Sequence, residues 1–455
     1  MKLEVDIEKL AFGGRGIARY ENQVVFVDNG IPGDHALVWI RKKKKQHAEA
    51  KIVELLTPSP LRQPAPCTHF GYCGGCKWQH LDYHQQLRYK KEQVLESLQH
   101  IAGIQSAVVP DTLASPLIFG YRNKTEFSFT ENRWLTPDEL RDDSAKKDFT
   151  LGFHVPGSFE WVMRIDNCWL QDETMNGILN FSREYFKKSG LPVFGLRSHA
   201  GLLRFLVLRK SFRQNQYMVN VVTFEPADEA LREYTKLLTD KFPNVSSIIN
   251  TVNRRFAQIA FGEEEHLLFG NPVITEQLGG FYFAISANSF FQTNPLQAEN
   301  LYNIVRKYTG QGYHRIWDLY SGTGTIALFL SDLAEEVTGF EIVESAVNDA
   351  VQNCRMNKIS NCKFVAGDLR RQLMSREDAP EVVVCDPPRA GMHPEVVEAI
   401  LEKAPRRIVY ISCNPATMAR DIKMMIEKYE MKEVQPVDMF PHTFHIESVA
   451  RLEKK

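Results

Sequence analysis

The chain has 455 residues, 44% hydrophobic and 24% charged, with 55 basic against 56 acidic side chains and a formal net charge of −1. This is soluble globular material for roughly two to four domains, and the balanced charge means that any nucleic-acid contact must come from local basic faces. No apolar run approaches the roughly 18 residues that cross a bilayer, and the N-terminus has acidic residues where an export signal needs an apolar stretch, so the sequence predicts a cytoplasmic protein without a membrane span. Eight cysteines in that reducing compartment suit metal or catalytic roles ahead of disulfides.

Up to about Leu56, short strands are separated by turns at Gly13-Gly14, Asp28-Asn29-Gly30 and Pro32-Gly33-Asp34, which predicts a small OB-like barrel over residues 1–58. The run Arg41-Lys-Lys-Lys-Lys45 falls between expected strands at 36–40 and 48–56. It is a hairpin tip, either a solvated loop or a phosphate contact. The proline-rich stretch 57–66 reads as a linker. Directly after it stand Cys67, Cys73 and Cys76, with Gly74 and Gly75 between the last pair, so that backbone and thiolates can wrap one small inorganic centre. Cys168, far downstream, makes a fourth thiolate, and four thiolates fit either a zinc site or an iron–sulfur cluster.

Residues 83–102 have helical spacing and end at Gly103. The central region, 59–285, reads mostly as strands (125–130, 151–154, 202–208, 216–223), interrupted by helices near 174–188 and 227–241. Basic residues lie on or beside these strands (Arg122, Lys124, Arg204, Arg209, Lys210, Arg213), interleaved with Tyr121, Phe127, Phe129, Phe205 and Phe212. That pattern suits either an RNA surface that stacks bases or a two-faced sheet with solvated charges.

Within 286–455 the texture becomes alternating strand and helix, the signature of a doubly wound α/β sheet. Strand after strand ends in a polar or acidic residue: Asp318 before the loop Ser321-Gly-Thr-Gly-Thr325, then Glu341, Asp368, and Asp386-Pro-Pro-Arg389. Ligands of such sheets bind at the carboxyl ends of the strands. The loop satisfies the GxGxxA dinucleotide fingerprint, so a nicotinamide cofactor is one reading. An acidic residue ahead of the loop, and a carboxylate held at a rigid double-proline corner, favour S-adenosylmethionine. In Ile408-Val-Tyr-Ile-Ser-Cys-Asn-Pro415 a buried strand runs out at Ser412, Asn414 is a helix N-cap and Pro415 takes the first helical position. Cys413 is thereby displayed at a helix N-terminus, where the dipole favours its thiolate.

The motifs Phe290-Phe-Gln-Thr-Asn294, Asp318-Leu-Tyr-Ser-Gly-Thr-Gly-Thr325, Asp386-Pro-Pro-Arg-Ala-Gly391, Ser412-Cys-Asn-Pro415 and His445-Ile-Glu-Ser-Val449 resemble, in order and over essentially the whole chain, those of the RNA uracil-5 methyltransferases. The cysteine set and a TRAM-like N-terminus are similar to the branch that methylates uridine in 23S ribosomal RNA. The resemblance implies a class I methyltransferase domain behind an OB-like TRAM barrel and an α+β central domain. It implies a monomer that binds RNA and no membrane. It makes Cys413 the nucleophile and Glu447 the base, and places S-adenosylmethionine against Gln292, Tyr320, Thr325, Glu341, Asp368 and Asp386. Cys67, Cys73, Cys76 and Cys168 fall on the ligands of a [4Fe-4S] cluster. The glycine loop departs from the Cys-Gly-x-Gly-Asn of that branch at both ends.

Overall fold

In the computed structural model, which describes all 455 residues, the six N-terminal strands form one sheet. Lys2–Asp6 pairs with His35–Lys43, which pairs with His47–Thr57; Gln23–Asp28, Gly16–Tyr20 and Lys9–Leu10 follow in that order. The period-2 alternation of Leu3, Val5, Val25, Val27, Val38, Ala48 and Ala50 turns these residues into one core. The basic run lies at the exposed tip of the long hairpin, as expected. The stretch 57–66, expected as a linker, is pinned to the barrel. Buried Asp34 takes Arg62 through two bonds of 2.6 Å and the Ile31 and Ser59 amides at 2.8 and 3.0 Å. Burial alone would raise the Asp34 carboxyl, but Arg62 and these amides outweigh it and hold it below the usual range.

Compactness divides the chain into two units, and it cuts the expected domains differently. The first comprises Met1–Pro66, Cys76–Ile118 and Gln297–Lys455; the second comprises Cys67–Gly75 and Phe119–Leu296. Residues 76–118, expected in the central domain, thus belong with the barrel and the C-terminal sheet. Helix Tyr83–Ser97 and the wider turn Leu98–Ala102, closed at left-handed Gly103, supply Val94, Leu98 and Ala102 to the core that holds Trp317, Tyr410 and Met418. The barrel is joined to the same body by Leu10, Ile31, Trp78, Leu81 and Tyr89, with Leu61 and Phe444 alongside. The Trp78 indole donates to the Gly14 carbonyl at 3.2 Å, and a Cβ at Gly14 would stand 3.3 Å from that of Phe444.

The C-terminal sheet has seven strands: β1 (Tyr313–Leu319), β2 (Ala334–Glu341), β3 (Cys362–Ala366), β4 (Val382–Cys385), β5 (Arg407–Ser412), β6 (Tyr429–Val437) and β7 (Glu447–Lys454). Their spatial order is 3-2-1-4-5-7-6, parallel except for β7, which runs against both β5 and β6. Strand order reverses between β1 and β4, which opens the crevice where ligands of doubly wound sheets bind.

In the second unit an eight-stranded sheet is covered on one face by helices Glu173–Ser189 and Asp228–Lys241, through Met175, Ile178, Phe186, Leu231 and Tyr234 against Phe127, Leu206 and Val219. The aromatic–basic interleaving, which suited either an RNA surface or a two-faced sheet with solvated charges, is largely core. Tyr121, Phe127, Phe129 and Phe205 are buried, and so are Arg204 and Arg209. Arg204 donates to the carbonyls of Asn253, Arg255 and Ala257 at 2.6–2.9 Å, and Arg209 to those of Ala287 and Ser289. A guanidinium is the longest reach available for satisfying loop carbonyls under a sheet.

One buried ion pair in the first unit is open to test. Lys90 and Asp438 have fully buried side chains 2.6 Å apart, and Lys90 also reaches the Phe440 carbonyl at 3.2 Å. Lys90→Ala strands a buried carboxylate and is expected to cost about 3–5 kcal/mol, whereas the double change Lys90→Met with Asp438→Leu recovers most of it. Denaturant titration of the three proteins checks this.

Candidate active site

Strand register builds the centre of the site. Ser412 of β5 lies opposite Ser448 of β7 in an antiparallel pair, so the residue after the first, Cys413, and the residue before the second, Glu447, leave the sheet at the same end. As expected, Asn414 caps helix Pro415–Met425, accepting from the Ala416 amide at 3.1 Å, with proline at the helix start. The Ser412 hydroxyl accepts from the Asn414 amide at 3.0 Å. The Asp386-Pro-Pro-Arg389 corner is tied to this turn: the Asn414 amide group and the Thr417 hydroxyl donate to the Arg389 carbonyl at 3.2 and 3.3 Å. Below it, buried Asp421 accepts from the Tyr410 hydroxyl at 2.7 Å and the Met392 amide at 2.8 Å. Gly391, at φ +78°, must be glycine, since a Cβ there would sit 2.5–2.7 Å from Arg420 and Asp421.

The electrostatics overturn one expectation. Burial, then the carboxyls of Glu447 and Asp386, push the Cys413 thiol up to about 11, with Arg389 pulling the other way. Whatever the helix N-terminus contributes is outweighed by a dry site with two acids beside it. Burial and Asp386 also hold the Glu447 carboxyl well above its ordinary value, against Arg389. Asp386 is raised to about 6 by burial. The three groups together retain protons that exposed groups would release. Arg389, the cation acting on both Cys413 and Glu447, was legible as part of the double-proline corner but carried no assigned role in the sequence.

At the β1–β4 crevice, Asp318 is fully buried and neither carboxylate oxygen has a hydrogen-bond partner. Burial, Asp386 and Glu341 raise it well above the usual range; the Ala327 amide, outside hydrogen-bond geometry, offsets this only in part. An orphaned carboxylate at a ligand crevice fits an incoming cation such as an ammonium group. Tyr320 follows at φ +64°, a left-handed conformation rarely taken by an aromatic residue. Gly322 donates its amide to Glu341 at 2.9 Å, and the other Glu341 oxygen accepts from Ile342 and Val343, both at 2.9 Å. Three of the carboxylate's about four acceptor positions are filled, leaving one for a hydroxyl. Thr325 begins the following helix, and Asp368 caps helix Leu369–Ser375 while paired with Arg370. Sequence reasoning missed Ile342 and Val343, 68% and 51% exposed beside Glu341, an apolar pair suited to the face of a heteroaromatic ring. Gln292 belongs to the second unit, where its carbonyl accepts from the Asn123 side chain at 3.1 Å.

Cys67, Cys73, Cys76 and Cys168 are each partly buried. Burial raises the thiols of Cys67 and Cys168, which are close enough to act on each other, and the Gly75 amide donates to the Cys73 sulfur at 3.4 Å. No three His, Cys, Asp or Glu side chains are gathered closely enough to hold a metal ion. Ligands are drawn together by the ion that takes the place of their protons.

Residues 204–455 match the tRNA (uracil-5-)-methyltransferase family, and residues 2–53 match the TRAM domain. An RNA methyltransferase of Bacteroides thetaiotaomicron is 41% identical over 453 residues, covering 98% of this chain and 100% of that protein. One from Chlorobaculum tepidum is 44% identical over 434 residues, covering 93% and 90%. The crystal structure of Pyrococcus abyssi tRNA (uracil-54, C5)-methyltransferase in complex with S-adenosyl-L-homocysteine superposes with a TM-score of 0.77 at 30% identity, covering 99% of this chain and 100% of that one.

The proton-retaining centre has a chemical signature. Alkylation of Cys413 by iodoacetamide, followed by mass spectrometry of its peptide, should accelerate about tenfold per pH unit from pH 7 to about 10, because only the thiolate reacts and its fraction rises until the pH reaches the pKa. Glu447→Gln removes a negative neighbour and should speed the reaction at pH 8; Arg389→Ala should slow it.

Proposed function

This chain belongs to the RNA uracil-5-methyltransferase family and is an S-adenosylmethionine-dependent RNA methyltransferase, and from that premise we propose that it methylates C5 of a uridine through a covalent bond between Cys413 and C6 of the base. The observation that carries this reading is the Ser412–Ser448 register, which sets a thiol and a dry carboxyl at one strand end.

S-adenosylmethionine supplies an electrophilic methyl group. For it we assign Asp318 to the amino group of the methionine end, Glu341 to a ribose hydroxyl and Ile342 with Val343 to the adenine face; Tyr320, Asp386, Thr325 and Asp368 complete the proposed contacts. The other half of the reaction rests on the chain's own groups. Uracil C5 is a poor nucleophile; once the Cys413 thiol has given up its proton to solvent, addition of the thiolate to C6 converts the ring to an enolate with electron density on C5. Arg389 steadies the negative charge passing through Cys413. Once C5 carries its new substituent, Glu447 removes the remaining C5 proton; the electron pair re-forms the C5–C6 double bond and expels the thiolate. A carboxylate with a raised pKa is the stronger base for that step. Asp386 orients the base. The reacting atoms lie inside a stack in structured RNA, so the target is flipped out.

We further propose that Cys67, Cys73, Cys76 and Cys168 hold a [4Fe-4S] cluster. A donor set of four thiols, in surroundings that disfavour bare thiolates, suits a soft, positively charged centre. The cluster would tie Cys67 and Cys73 to Cys168.

The substrate we favour is 23S ribosomal RNA, on the TRAM barrel together with the four cysteines, the barrel's basic tip supplying phosphate contacts. A second reading is transfer RNA. The Pyrococcus abyssi tRNA (uracil-54, C5)-methyltransferase matches over 99% of this chain, barrel region included, so the barrel alone does not separate the two. Mapping 5-methyluridine in both RNAs from a strain lacking this protein decides between them.

Cys413→Ala should abolish turnover and the covalent adduct with RNA containing 5-fluorouridine; undiminished methylation would remove the mechanism. Glu447→Gln should still form the adduct but release it slowly, so that a protein–RNA band accumulates on denaturing gels. Anaerobically purified protein should be brown and contain iron, and a colourless preparation containing zinc would sink the cluster.

A further inference from the structure

The second unit contains a cavity of about 420 Å³, a size typical of small-ligand sites, that no step of the proposed reaction uses. It opens between the end of strand Lys124–Thr130, the hairpin of Thr150–His154 with Val162–Arg164, and the loop after the Val193–Leu203 bridge. Its walls include Phe159, Trp161 and Phe194. Phe194 is fixed from behind by stacking on Phe224 and by the Arg204 guanidinium 4.7 Å from its ring. Phe159 is the opposite case: 80% exposed at the mouth, with no packing reason to be aromatic.

The polar groups are also unspent. Neither ring nitrogen of His154 meets a partner in hydrogen-bond geometry, although both are buried. The Trp161 carbonyl, which accepts from the Val155 amide at 3.1 Å, lies near the ring and favours its charged form, but burial outweighs it. A neutral imidazole in such a place offers one donor and one acceptor, and burial does hold His154 towards the neutral form. Arg197 stands at the rim, paired with Glu160 at 2.7 Å, and an exposed pair of this kind is worth little, so a phosphate can replace the carboxylate. The surface beside the cavity continues in kind. The loop held by Arg204 carries Phe256, 59% exposed with its ring tilted against His199 at 4.2 Å, and the exposed Arg254 and Arg255, paired with Glu264 and Glu263.

We propose that this cavity binds an unstacked base of single-stranded RNA, other than the one that is methylated. Phe159 and Trp161 hold the faces of the base, His154 meets its hydrogen-bonding edge, and Arg197 meets the adjoining phosphate. Aromatic faces, a small polar edge and an arginine rim are what unpaired RNA requires; a purely apolar ligand would leave His154 unsatisfied. The proposal rests on the reading of the substrate as RNA.

The test uses the full chain and fluorescein-labelled single-stranded RNA 12-mers of A, C or U, with methylation of total RNA followed in parallel. Phe159→Ala changes an exposed side chain, so its thermal melting should match the parent, while its affinity for at least one 12-mer falls about tenfold, the weight of one base–aromatic stack. Ultraviolet crosslinks from the parent protein should map to Phe159 or Trp161. Unchanged affinity in Phe159→Ala, or no crosslink at either residue, overturns the proposal. If total RNA is methylated but these crosslinks are missing, the cavity assignment fails alone. If RNA is not methylated while the crosslinks appear, the reaction assignment fails and the cavity assignment stands.

Discussion

The pairing of β5 with β7 is the constraint on which the rest depends. An antiparallel strand inserted beside a parallel sheet brings its beginning to the end where its neighbour stops, so two residues far apart in sequence, Cys413 and Glu447, meet without a loop having to carry either into place. A slip of β7 by one residue against β5 would put Glu447 on the opposite face from Cys413. The hydrogen bonds around the centre defend that register: Asn414 and Thr417 grip the Arg389 carbonyl, and Asp421 holds Tyr410 and Met392 beneath. The sheet fixes position, and burial then fixes protonation.

That burial explains why the site is acidic yet not charged in the ordinary way. Asp318, Asp386 and Glu447 all stand above the usual carboxylate range, each pushed first by loss of water and only then, for Asp318 and Glu447, by Asp386. Carboxyls crowded at the strand ends of one sheet would repel one another if all were ionised. Arg389 is the cation that counters this at both Cys413 and Glu447. Such a site gains most from ligands that bring positive charge or accept protons, a demand set by the dielectric rather than by any one residue.

Much of this was legible in the sequence, because it is written in local signals. Helix caps at Asn414 and Gly103, strand ends marked by acids, and the double-proline corner each depend on a few neighbouring residues. What was not legible depends on distant partners. The direction of the Cys413 shift is decided by Glu447 and Asp386, not by the helix beside it. Arg204 and Arg209 look like surface charges until the loops whose carbonyls they satisfy are in place. The proline-rich stretch 57–66 has a linker's composition, yet Asp34 holds it. The placement of residues 76–118 turns on Val94 and Leu98 finding the core of the C-terminal sheet, and helical spacing gives an apolar stripe without naming its partner.

The close approach of Gly14 to Phe444 has one more implication. Phe444 also meets Phe12 edge-on, at 5.8 Å between ring centres, and stands three positions before Glu447. The barrel therefore forms part of the floor beneath the segment that feeds Glu447 into the sheet. A chain trimmed of its first sixty or so residues would expose Trp78, Leu81 and Phe444 to water and loosen the segment that leads into Glu447.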